Sequence, residues 1–306
     1  MMRDTVTDLV AFLRVAREGS FTKAAAQLGV SQPALSRTIR KLEERLGVQL
    51  LTRSTRSVAP TETGVRLMDT IGPHFDGIEA GLGELSEFSG RPTGHLRITS
   101  LEHASPWALA PAVSQLMAEH PGITIEINDS YALVDIVAER FDAGIRMGEQ
   151  LAKDMISVRI GPPFRLALVG APAYFEQRAQ PVAPEDLTHH TCLSLRLPTS
   201  GGLWAWPFAN KGRDIKVRGD GHLVCNTLGL MLDFARAGCG LAYVPEHVVE
   251  QDLAQGRLLR VMADWCDTPL QYHLYYPGRR QHKPAFRLLL DVLRQPQTLG
   301  SPGQST

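Results

Sequence analysis

The sequence contains no apolar run that approaches the length of a membrane-spanning helix, although 43% of its 306 residues are apolar and 21% are charged. The N-terminus, MMRDTVTDLV, has neither the apolar core nor the cleavage site of a secretory signal. We therefore expect a protein that stays in the cytoplasm and has no membrane partner.

Cysteine is sparse and shows no paired spacing; the chain has only Cys192, Cys225, Cys239 and Cys266. This pattern excludes a disulfide framework and a zinc knuckle and suits a reducing compartment. A redox switch through Cys192 and Cys225 is disfavoured, because neither thiol has basic neighbours in sequence that would activate it.

Recognisable catalytic machinery is also missing. We find no Ser-His-Asp set, no nucleotide-binding loop and no metal cluster. The adjacent His189 and His190 would point to opposite faces of a strand and lack a third ligand. We therefore expect no cofactor, no metal and no enzymatic activity. The alternative from another functional class is an α/β enzyme that carries a DNA-binding head.

The net charge of zero conceals an uneven distribution of charge. Residues 1–60 hold ten Lys or Arg and five Asp or Glu, a net charge of +5, whereas residues 61–90 hold one and six, a net charge of −5. A basic N-terminal unit followed by an acidic segment is typical of a DNA-reading head on a body that does not bind DNA.

A helix pair is predicted by the stretch SFTKAAAQLGVSQPALSRTIRKLEERLG. Thr22 is the expected N-cap of a first helix, Lys23–Leu28, and Gly29 supplies the turn. Ser31 is the expected N-cap of the second helix, which runs to Leu46.

The second helix is amphipathic. An apolar spacing of three and four residues predicts a buried stripe, formed by Leu35, Ile39, Leu42 and Leu46. The opposite face is polar and basic, with Gln32, Ser36, Arg37, Arg40 and Lys41. Such a face can hydrogen-bond base edges or phosphates in a major groove. Periodicity alone specifies the helix pair and not its ligand, so an ordinary solvated face is the alternative.

The run AAAQLGVSQPALSRTIRKLEERLGVQLLTRSTRSVAPTETG resembles the winged helix-turn-helix of LysR-type transcriptional regulators almost position by position. The resemblance covers residues 9–64 closely and the chain to about residue 293 in outline. It implies an α+β multidomain fold with an N-terminal winged helix-turn-helix, a long linker helix and a C-terminal two-lobed α/β effector domain that resembles periplasmic binding proteins. The implied function is sequence-specific DNA binding and transcription regulation under the control of a small-molecule effector.

The resemblance places base contacts around the start of the second helix, where this chain has Ser31, Gln32, Pro33, Ser36 and Arg37. Gln32 can pair bidentately with adenine, and Arg37 can pair with guanine. Pro33 is tolerated because the first turn of a helix has no internal amide bonds to lose. Lys23 and Arg40 are assigned to phosphates.

The flanking segments complete the predicted head. The segment VQLLTRSTRSVAPT predicts a hairpin wing, where Arg53 and Arg56 would contact phosphates rather than serve only as surface charge. A first helix is predicted at Thr7–Arg17, with an apolar face of Leu9, Phe12, Leu13 and Ala16. The core is expected to be completed by Phe21, Leu28, Val30 and Leu50.

A long helix opened by Thr61 is predicted to run to Phe88. It carries a heptad-like seam of Met68, Ile71, Phe75, Ile78, Leu82 and Leu85. The favoured partner of this seam is a second copy of the helix in a homodimer, and the alternative is the chain's own body. Pro73 is expected to kink the helix.

The predicted domains are residues 1–60 for the DNA-binding head, 61–90 for the linker helix, 91–295 for the effector domain and 296–306 for a disordered tail. Proline-marked breaks place lobe one at residues 93–162 and 268–295, and lobe two at 163–267. Strands are predicted at residues 95–99, 123–127, 143–147, 156–160, 165–169, 192–195, 215–217 and 270–275, and helices at 107–120, 133–140, 228–237 and 285–293.

The effector is expected between the lobes, where carboxyl ends of strands and helix N-termini attract anions. Ser100 matches a polar position of the family. Arg146 either pairs with Asp142 or Asp129 or binds a ligand carboxylate, and both interpretations stay open. Ser100 and Arg146 together favour a small organic anion as the effector. Further candidates, for which a structural role is favoured, are Glu102, His103, Ser130, Ser194, Arg196 and Asn226.

The expected partners are double-stranded promoter DNA, a small-molecule effector and further copies of the chain in a homodimer or homotetramer. RNA polymerase is a further candidate partner. A third functional alternative is a constitutive DNA-binding protein whose cleft is empty and vestigial.

Overall fold

The computed structural model describes residues 2–53, 58–88, 92–148, 155–219, 222–278 and 283–294. The chain forms two compact units, Met1–Leu85 and Ser86–Thr306. No helix within the described ranges is both long enough and apolar enough to cross a membrane.

The first unit contains four helices and a small hairpin. Its elements are α1 (Met2–Glu18), α2 (Phe21–Leu28), α3 (Gln32–Leu46), β1 (Leu51–Arg53), β2 (Val58–Pro60) and α4 (Glu62–Phe88). Strands β1 and β2 pair antiparallel, which confirms the predicted hairpin. The hairpin tip, which includes Arg56, lies outside the described residues.

The predicted turn of the helix pair is confirmed except for its first cap. Gly29 adopts a left-handed φ of +65°, and the Ser31 hydroxyl accepts a hydrogen bond from the Ala34 amide at 3.3 Å. The prediction that Thr22 caps α2 is wrong. The Ser20 hydroxyl accepts from the Lys23 amide at 3.3 Å instead, so the helix begins at Phe21.

One apolar core holds the first three helices together. Its fully or largely buried members are Ala11, Phe12, Leu13, Val15, Phe21, Ala24, Ala25, Leu35, Ile39, Leu42, Leu50, Leu51 and Met68. Two predicted core members are wrong, because Leu46 is 45% exposed and Val30 is 46% exposed. Leu46 is the last residue of α3, and Val30 lies in the turn, so both side chains fall beyond the edge of the helix packing.

Helix α4 packs on its own unit over its first half. Thr61 caps it as predicted, because its hydroxyl accepts from the Gly64 amide at 3.0 Å, and the helix continues through Pro73. Met68, Ile71 and Phe75 pack against the core of the first three helices. The alternative, packing on the chain's own body, therefore applies to Met68, which is buried, whereas Ile71 and Phe75 are half-buried and the seam for a second copy stays a prediction. Ile78 is 58% exposed, and the side chains of Leu82 and Leu85 lie outside the described part of the chain.

The second unit alternates strands and helices, as predicted. Its strands are β3 (Gly94–Ser100), β4 (Ile123–Asp129), β5 (Ala143–Met147), β6 (Met155–Phe164), β7 (Leu166–Gly170), β8 (Ser194–Leu195), β9 (Trp206–Asn210), β10 (Arg213–Val217), β11 (Val224–Cys225), β12 (Ala242–Pro245), β13 (Leu259–Val261) and β14 (Leu270–Pro277). Its α-helices are α5 (Ala110–Glu119), α6 (Pro172–Phe175), α7 (Leu228–Arg236), α8 (Glu246–Ala254) and α9 (Pro284–Arg294).

Two main sheets define the two lobes. In lobe one, the strand order is β4-β3-β5-β14-β6, with β3 parallel to β4 and β5 and with β14 antiparallel to β5 and β6. In lobe two, β7 lies between β12 and β13 and is antiparallel to both. The chain leaves lobe one after Phe164 and returns at Leu270, and Arg165 pairs with Asp267 at 3.0 Å across the two crossings.

Three predictions of local structure in lobe one are corrected. Residues 133–140 form turns rather than a helix, because Asp135 accepts the amides of Val137 and Ala138 and Arg140 has a φ of +60°. Strand β6 continues through Gly161–Pro163, which a sheet tolerates because β6 is an edge strand. The predicted helix at 107–120 is a π-helical turn, Ser105–Leu109, followed by α5.

Several elements of the second unit went unpredicted. These are α6, β9, β11, α8 and β13, together with 3-10 turns at Pro184–His189 and Ala263–Trp265. The predicted tail, residues 296–306, lies outside the described residues, as do residues 89–91 of the predicted break, so both stay predictions.

Gly64 provides a test of how α4 joins the core. A Cβ at this position would lie 2.1 Å from the Leu50 carbonyl oxygen, whereas a Cβ at Gly77 on the same helix meets nothing within 4 Å. We expect Gly64→Ala to lower the unfolding free energy by about 1–3 kcal/mol, because backbone must move, and Gly77→Ala to raise it by up to about 1 kcal/mol. Denaturant unfolding of the full chain measures both; equal effects would contradict the described packing.

Candidate DNA-binding surface and interlobe cavity

The polar face of α3 is accessible. Gln32, Pro33, Arg37, Arg40 and Lys41 are exposed, and Ser36 is half-buried. Arg40 and Lys41 have no ion-pair partner among the residues that the structure describes. This face therefore presents two cations, Arg40 and Lys41, that are not ion-paired within the described part of the unit.

The first turn of α3 is held by local hydrogen bonds. The Gln32 Oε1 atom accepts from the Thr22 hydroxyl at 3.4 Å, and the Arg37 Nε atom donates to the Pro33 carbonyl at 3.4 Å. Ser31 is occupied as the N-cap but stays exposed. Lys23 is exposed at the start of α2, so it borders the same turn.

Glu43 fixes the first strand of the wing to α3. Its carboxylate Oε1 atom accepts the amides of Leu50 and Leu51 at 2.8 and 3.0 Å. This role of Glu43 was not predicted, because a glutamate in an amphipathic helix indicates only an exposed charge. The side chains of Arg53 and Arg56 lie outside the described residues, so their phosphate contacts stay predictions.

Three predicted effector residues meet at the carboxyl edge of the lobe-one sheet. The Ser100 carbonyl accepts the Ser130 amide at 2.8 Å, and the Ser130 hydroxyl accepts the Ala132 amide at 3.1 Å. The Arg146 guanidinium donates to the Ala132 carbonyl at 2.7 Å and reaches the Thr99 hydroxyl at 3.3 Å. Ser100 is fully buried, and Ser130 is half-buried.

The two sequence-based interpretations of Arg146 can now be compared. Its described hydrogen bonds go to the Ile145 and Ala132 carbonyls and the Thr99 hydroxyl, whereas Asp142 pairs with Lys283 and Asp129 accepts from Ser105. No described hydrogen bond or ion pair joins Arg146 to either aspartate. Burial lowers the pKa of Arg146, although the Asp129 carboxylate interacts with it electrostatically and acts to raise that pKa. The buried Nε atom of Arg146 has no described partner. A charged group in this state can still bind an anion.

The predicted residues of lobe two are less concentrated. The Ser194 hydroxyl is buried and donates to the Gly219 carbonyl at 3.2 Å. Arg196 is exposed and donates to the Gly201 carbonyl at 2.6 Å, and Asn226 is exposed before α7. The lobe-two segment that contains Arg196 also bonds to lobe one, because the Leu133 amide donates to the Thr199 hydroxyl at 2.6 Å.

A cavity of about 530 Å³ lies between the lobes, beside the predicted residues. Its walls are Glu102, His103, Pro106 and Trp107 from lobe one, and Leu228, Gly229, Leu232, Asp233, Arg236, His247 and Val248 from lobe two. Only two of the predicted effector residues, Glu102 and His103, line it. The cavity is thus mainly apolar, with a few polar groups at defined points.

Trp107 and His247 form the part of the cavity wall that sequence reasoning missed. Their rings stack with centroids 4.3 Å apart, one from each lobe, and neither Trp107 Nε1 nor His247 Nδ1 has a described hydrogen-bond partner. No spacing rule joins positions 107 and 247. A histidine two residues after the strand GLAYVP, in the first turn of a helix, was the available signal.

A buried histidine, His103, and a half-buried histidine, His247, meet one tyrosine at this interface. His103 Nδ1 lies 2.6 Å from the Tyr272 hydroxyl, and His247 Nε2 lies 3.4 Å from the same oxygen. Burial, together with the mutual repulsion of the two rings, lowers the pKa of His103 to about 3. Burial lowers the pKa of His247 to about 4, and burial raises the pKa of Tyr272. All three groups are therefore neutral at neutral pH.

The described residues contain no group of three or more His, Cys, Asp or Glu with metal-site geometry. Burial raises the pKa of the Cys225 thiol, which keeps that thiol protonated.

A winged helix-turn-helix with an exposed basic helix, in a chain that also carries a two-lobed α/β unit, defines a class of bacterial transcription regulators. The chain belongs to the LysR family within that class. Residues 6–65 match the family model described as the bacterial regulatory helix-turn-helix protein, lysR family, and residues 89–297 match the LysR substrate binding domain.

Individual relatives agree with this assignment. The chain is 45% identical to the HTH-type transcriptional regulator PgrR of Escherichia coli (strain K12) over 96% of this chain and 98% of that one. It is similar to the structure of CrgA, a LysR-type transcriptional regulator from Neisseria meningitidis, with a TM-score of 0.58, 26% identity and coverage of 94% and 97%. It is also similar to a full-length AphB variant, with a TM-score of 0.69, 25% identity and coverage of 95% and 98%.

The histidines give the second unit a defined pH dependence. The folded pKa values of His103 and His247 lie below the unfolded value of about 6.5, so the unfolded chain binds more protons as the pH falls. The stability contribution is complete above about pH 6.5 and is lost as the pH falls toward 4. We expect His103→Gln to weaken this decline.

Calorimetric melting of the full chain between pH 7 and pH 4.5 measures the effect. The matched control is His189→Gln at an exposed position, which should follow the wild-type curve. If His103→Gln leaves the slope of melting temperature against pH unchanged, His103 does not contribute to the pH dependence.

Proposed function

We propose that the protein is a sequence-specific DNA-binding regulator of transcription that responds to a small molecule bound between the lobes of its second unit. The exposed face of α3, whose Arg40 and Lys41 are not ion-paired within the described part of the unit, carries the DNA-binding part of this proposal. A helix of this kind gains affinity from phosphates and specificity from base edges.

Roles on this surface are divided by side-chain chemistry. Gln32 and Arg37 hydrogen-bond to base edges. Ser31, Pro33 and Ser36, at the start of the same helix, also lie close to the bases. Lys23 and Arg40 bind phosphates, and Arg53 and Arg56 of the wing extend the phosphate contact. The support is that the accessible members of this set share the start of α3 and its neighbouring turn.

The proposed effector is a small organic anion. Ser100, Ser130 and Arg146 are linked through backbone atoms of Ser100 and Ala132, and Arg146 is buried without a described carboxylate in hydrogen-bonding contact, although the Asp129 carboxylate opposes the lowering of its pKa by burial. Ser194, Arg196 and Asn226 are the proposed contacts from lobe two, and Glu102 and His103, which line the described cavity, are further proposed contacts from lobe one.

Effector binding is proposed to act by a population shift. A ligand that prefers one arrangement of the lobes favours that arrangement and thereby alters how paired heads bend DNA. Pairing of heads requires a homodimer, or a homotetramer of two dimers, and the exposed Ile78 of α4 is one apolar contact available for it. RNA polymerase is the proposed further partner at the promoter, and the cytoplasm, where the chromosome lies, is the proposed location.

A constitutive regulator with an unused cleft is the second candidate. It is distinguished from the first by whether any ligand stabilises the chain. The buried guanidinium of Arg146 favours the ligand-responsive form, because its buried Nε atom has no described hydrogen-bond partner and a buried polar group without a partner is costly.

Two arginines test the division of roles on α3. We expect Arg37→Ala to cost about 1–3 kcal/mol on the preferred sequence and to relax selection at one base pair, because a bidentate base contact is lost. Arg40→Ala should weaken all sequences alike and reduce the salt slope by about 1.

Selection from a randomised duplex library, followed by titration at several salt concentrations, measures both. Arg45→Ala is the control on the same helix, because Arg45 is ion-paired with Asp8 at 3.0 Å. Identical behaviour of Arg37→Ala and Arg40→Ala would sink the division of roles, and a wild-type chain that selects no sequence would sink the proposed function.

A thermal-shift panel of small carboxylates tests the effector. At a hundred times its dissociation constant, an effector should add about 2.7 kcal/mol to the stability of the full chain. The shift should be lost in Arg146→Gln and kept in Arg213→Gln, whose guanidinium is exposed and paired with Glu185. A panel without any shift would favour the constitutive candidate.

A further inference from the structure

Helix α7 of lobe two lacks an N-terminal cap of its own. Thr227 occupies the N-cap position with an extended backbone, but its side chain makes no capping hydrogen bond, and the first turn contains no acidic residue. The first amides of a helix have no partner within the helix and need an acceptor.

Lobe one supplies that acceptor. The Glu102 carboxylate accepts the Leu228 amide at 3.1 Å through Oε2 and the Gly229 amide at 3.3 Å through Oε1. Glu102 follows β3, at the carboxyl edge of the lobe-one sheet, and α7 packs against β7, β11 and β12 of lobe two. One carboxylate thus joins the two lobes through two charge-assisted bonds and the positive end of a helix.

We propose that Glu102 is a clasp that holds the two lobes in the arrangement described above, and that release of this clasp is the conformational step through which the protein responds. The contact itself does not depend on the proposed function. Its regulatory meaning rests on that function, because the cavity walled by Glu102, Leu228 and Gly229 is where a ligand would reach the clasp.

The chemistry of the clasp differs from that of the other contacts between lobes. Near the crossings, His247 of lobe two stacks on Trp107 and packs edge-on against Phe164. His247 and the neighbouring His103 are both neutral at neutral pH, because burial lowers the pKa of each. The bond from Leu133 to Thr199 is an uncharged amide-to-hydroxyl bond. Glu102 lines the cavity and carries a charge in its contact with the other lobe, so an entering charged or hydrogen-bonding group can compete with it directly.

Gly229 shows how closely the clasp is fitted. A Cβ built on Gly229 would lie 3.0 Å from Glu102 Oε1, which is closer than ordinary van der Waals contact. A methyl group at this position requires the carboxylate to shift by a few tenths of an ångström, without changing any charge. Glu102 and Gly229 thus offer two independent ways to perturb the same contact.

Hydrogen exchange of individual backbone amides in the full chain, without ligand or DNA, tests the clasp. In Glu102→Ala we expect the protection factors of the Leu228 and Gly229 amides to fall roughly tenfold or more, the change expected for loss of a charge-assisted hydrogen bond. Glu102→Gln should show a smaller loss, since one amide oxygen can still accept. Gly229→Ala should lower the protection of Leu228 without altering Glu102.

The Leu133 amide distinguishes a clasp from a mere helix cap. Its acceptor, Thr199, is on the other lobe, so loosening of the lobes by Glu102→Ala should also lower the protection of Leu133. Thr199→Val removes the acceptor hydroxyl and so gives the protection factor of the Leu133 amide without its hydrogen bond. Amides within β7 should keep their protection in every variant if the lobes stay folded.

Glu119→Ala is the matched control, because Glu119 is an exposed lobe-one glutamate whose described bond is to Gln115 on its own helix. Protection at Leu228 and Gly229 within twofold of wild type in Glu102→Ala would overturn the contact, and loss confined to those two amides would overturn the clasp. Neither result depends on DNA selection, so failure of the clasp and failure of the proposed function are separate observations.

Discussion

The double passage of the chain between its lobes is the constraint on which the second unit depends. Strand β6 delivers the chain to lobe two at Phe164, and β14 receives it back at Leu270, beside β6 in the same sheet. Two adjacent connections allow the lobes to rotate about one line while both sheets stay intact. Every other contact between the lobes is therefore a side-chain contact or a loop contact, and such contacts can be exchanged without unfolding either sheet.

The first unit depends instead on continuous packing. Helices α1 to α3 share one core with the first half of α4, and Glu43 and Thr61 tie the wing strands and α4 to that core. The recognition face of α3 needs no movement within its own unit to be presented. Rigid presentation suits base reading, because a hydrogen-bonding side chain must be placed within a few tenths of an ångström.

Local rules predicted the helix pair well, since caps, glycine turns and apolar spacing act within a few residues. Ser31, Gly29 and the stripe from Leu35 to Leu42 are examples. The predictions failed where a distant part of the chain decides the outcome. Met68 of the α4 stripe is buried in the core of its own unit, and Asp135 turns a helical pattern into a loop. Trp107 and His247 come together only through the lobe crossing, so no spacing rule could find their wall of the cavity.

The stack of Trp107 on His247 places an indole at the boundary between the two lobes. The fluorescence emission of an indole depends on the polarity of its surroundings and on rings stacked against it. The imidazole of His247 is such a ring for Trp107. Rotation of one lobe against the other would separate these rings and alter the ultraviolet emission of the protein. The molecule therefore contains a natural optical reporter of its own internal motion, with no label added.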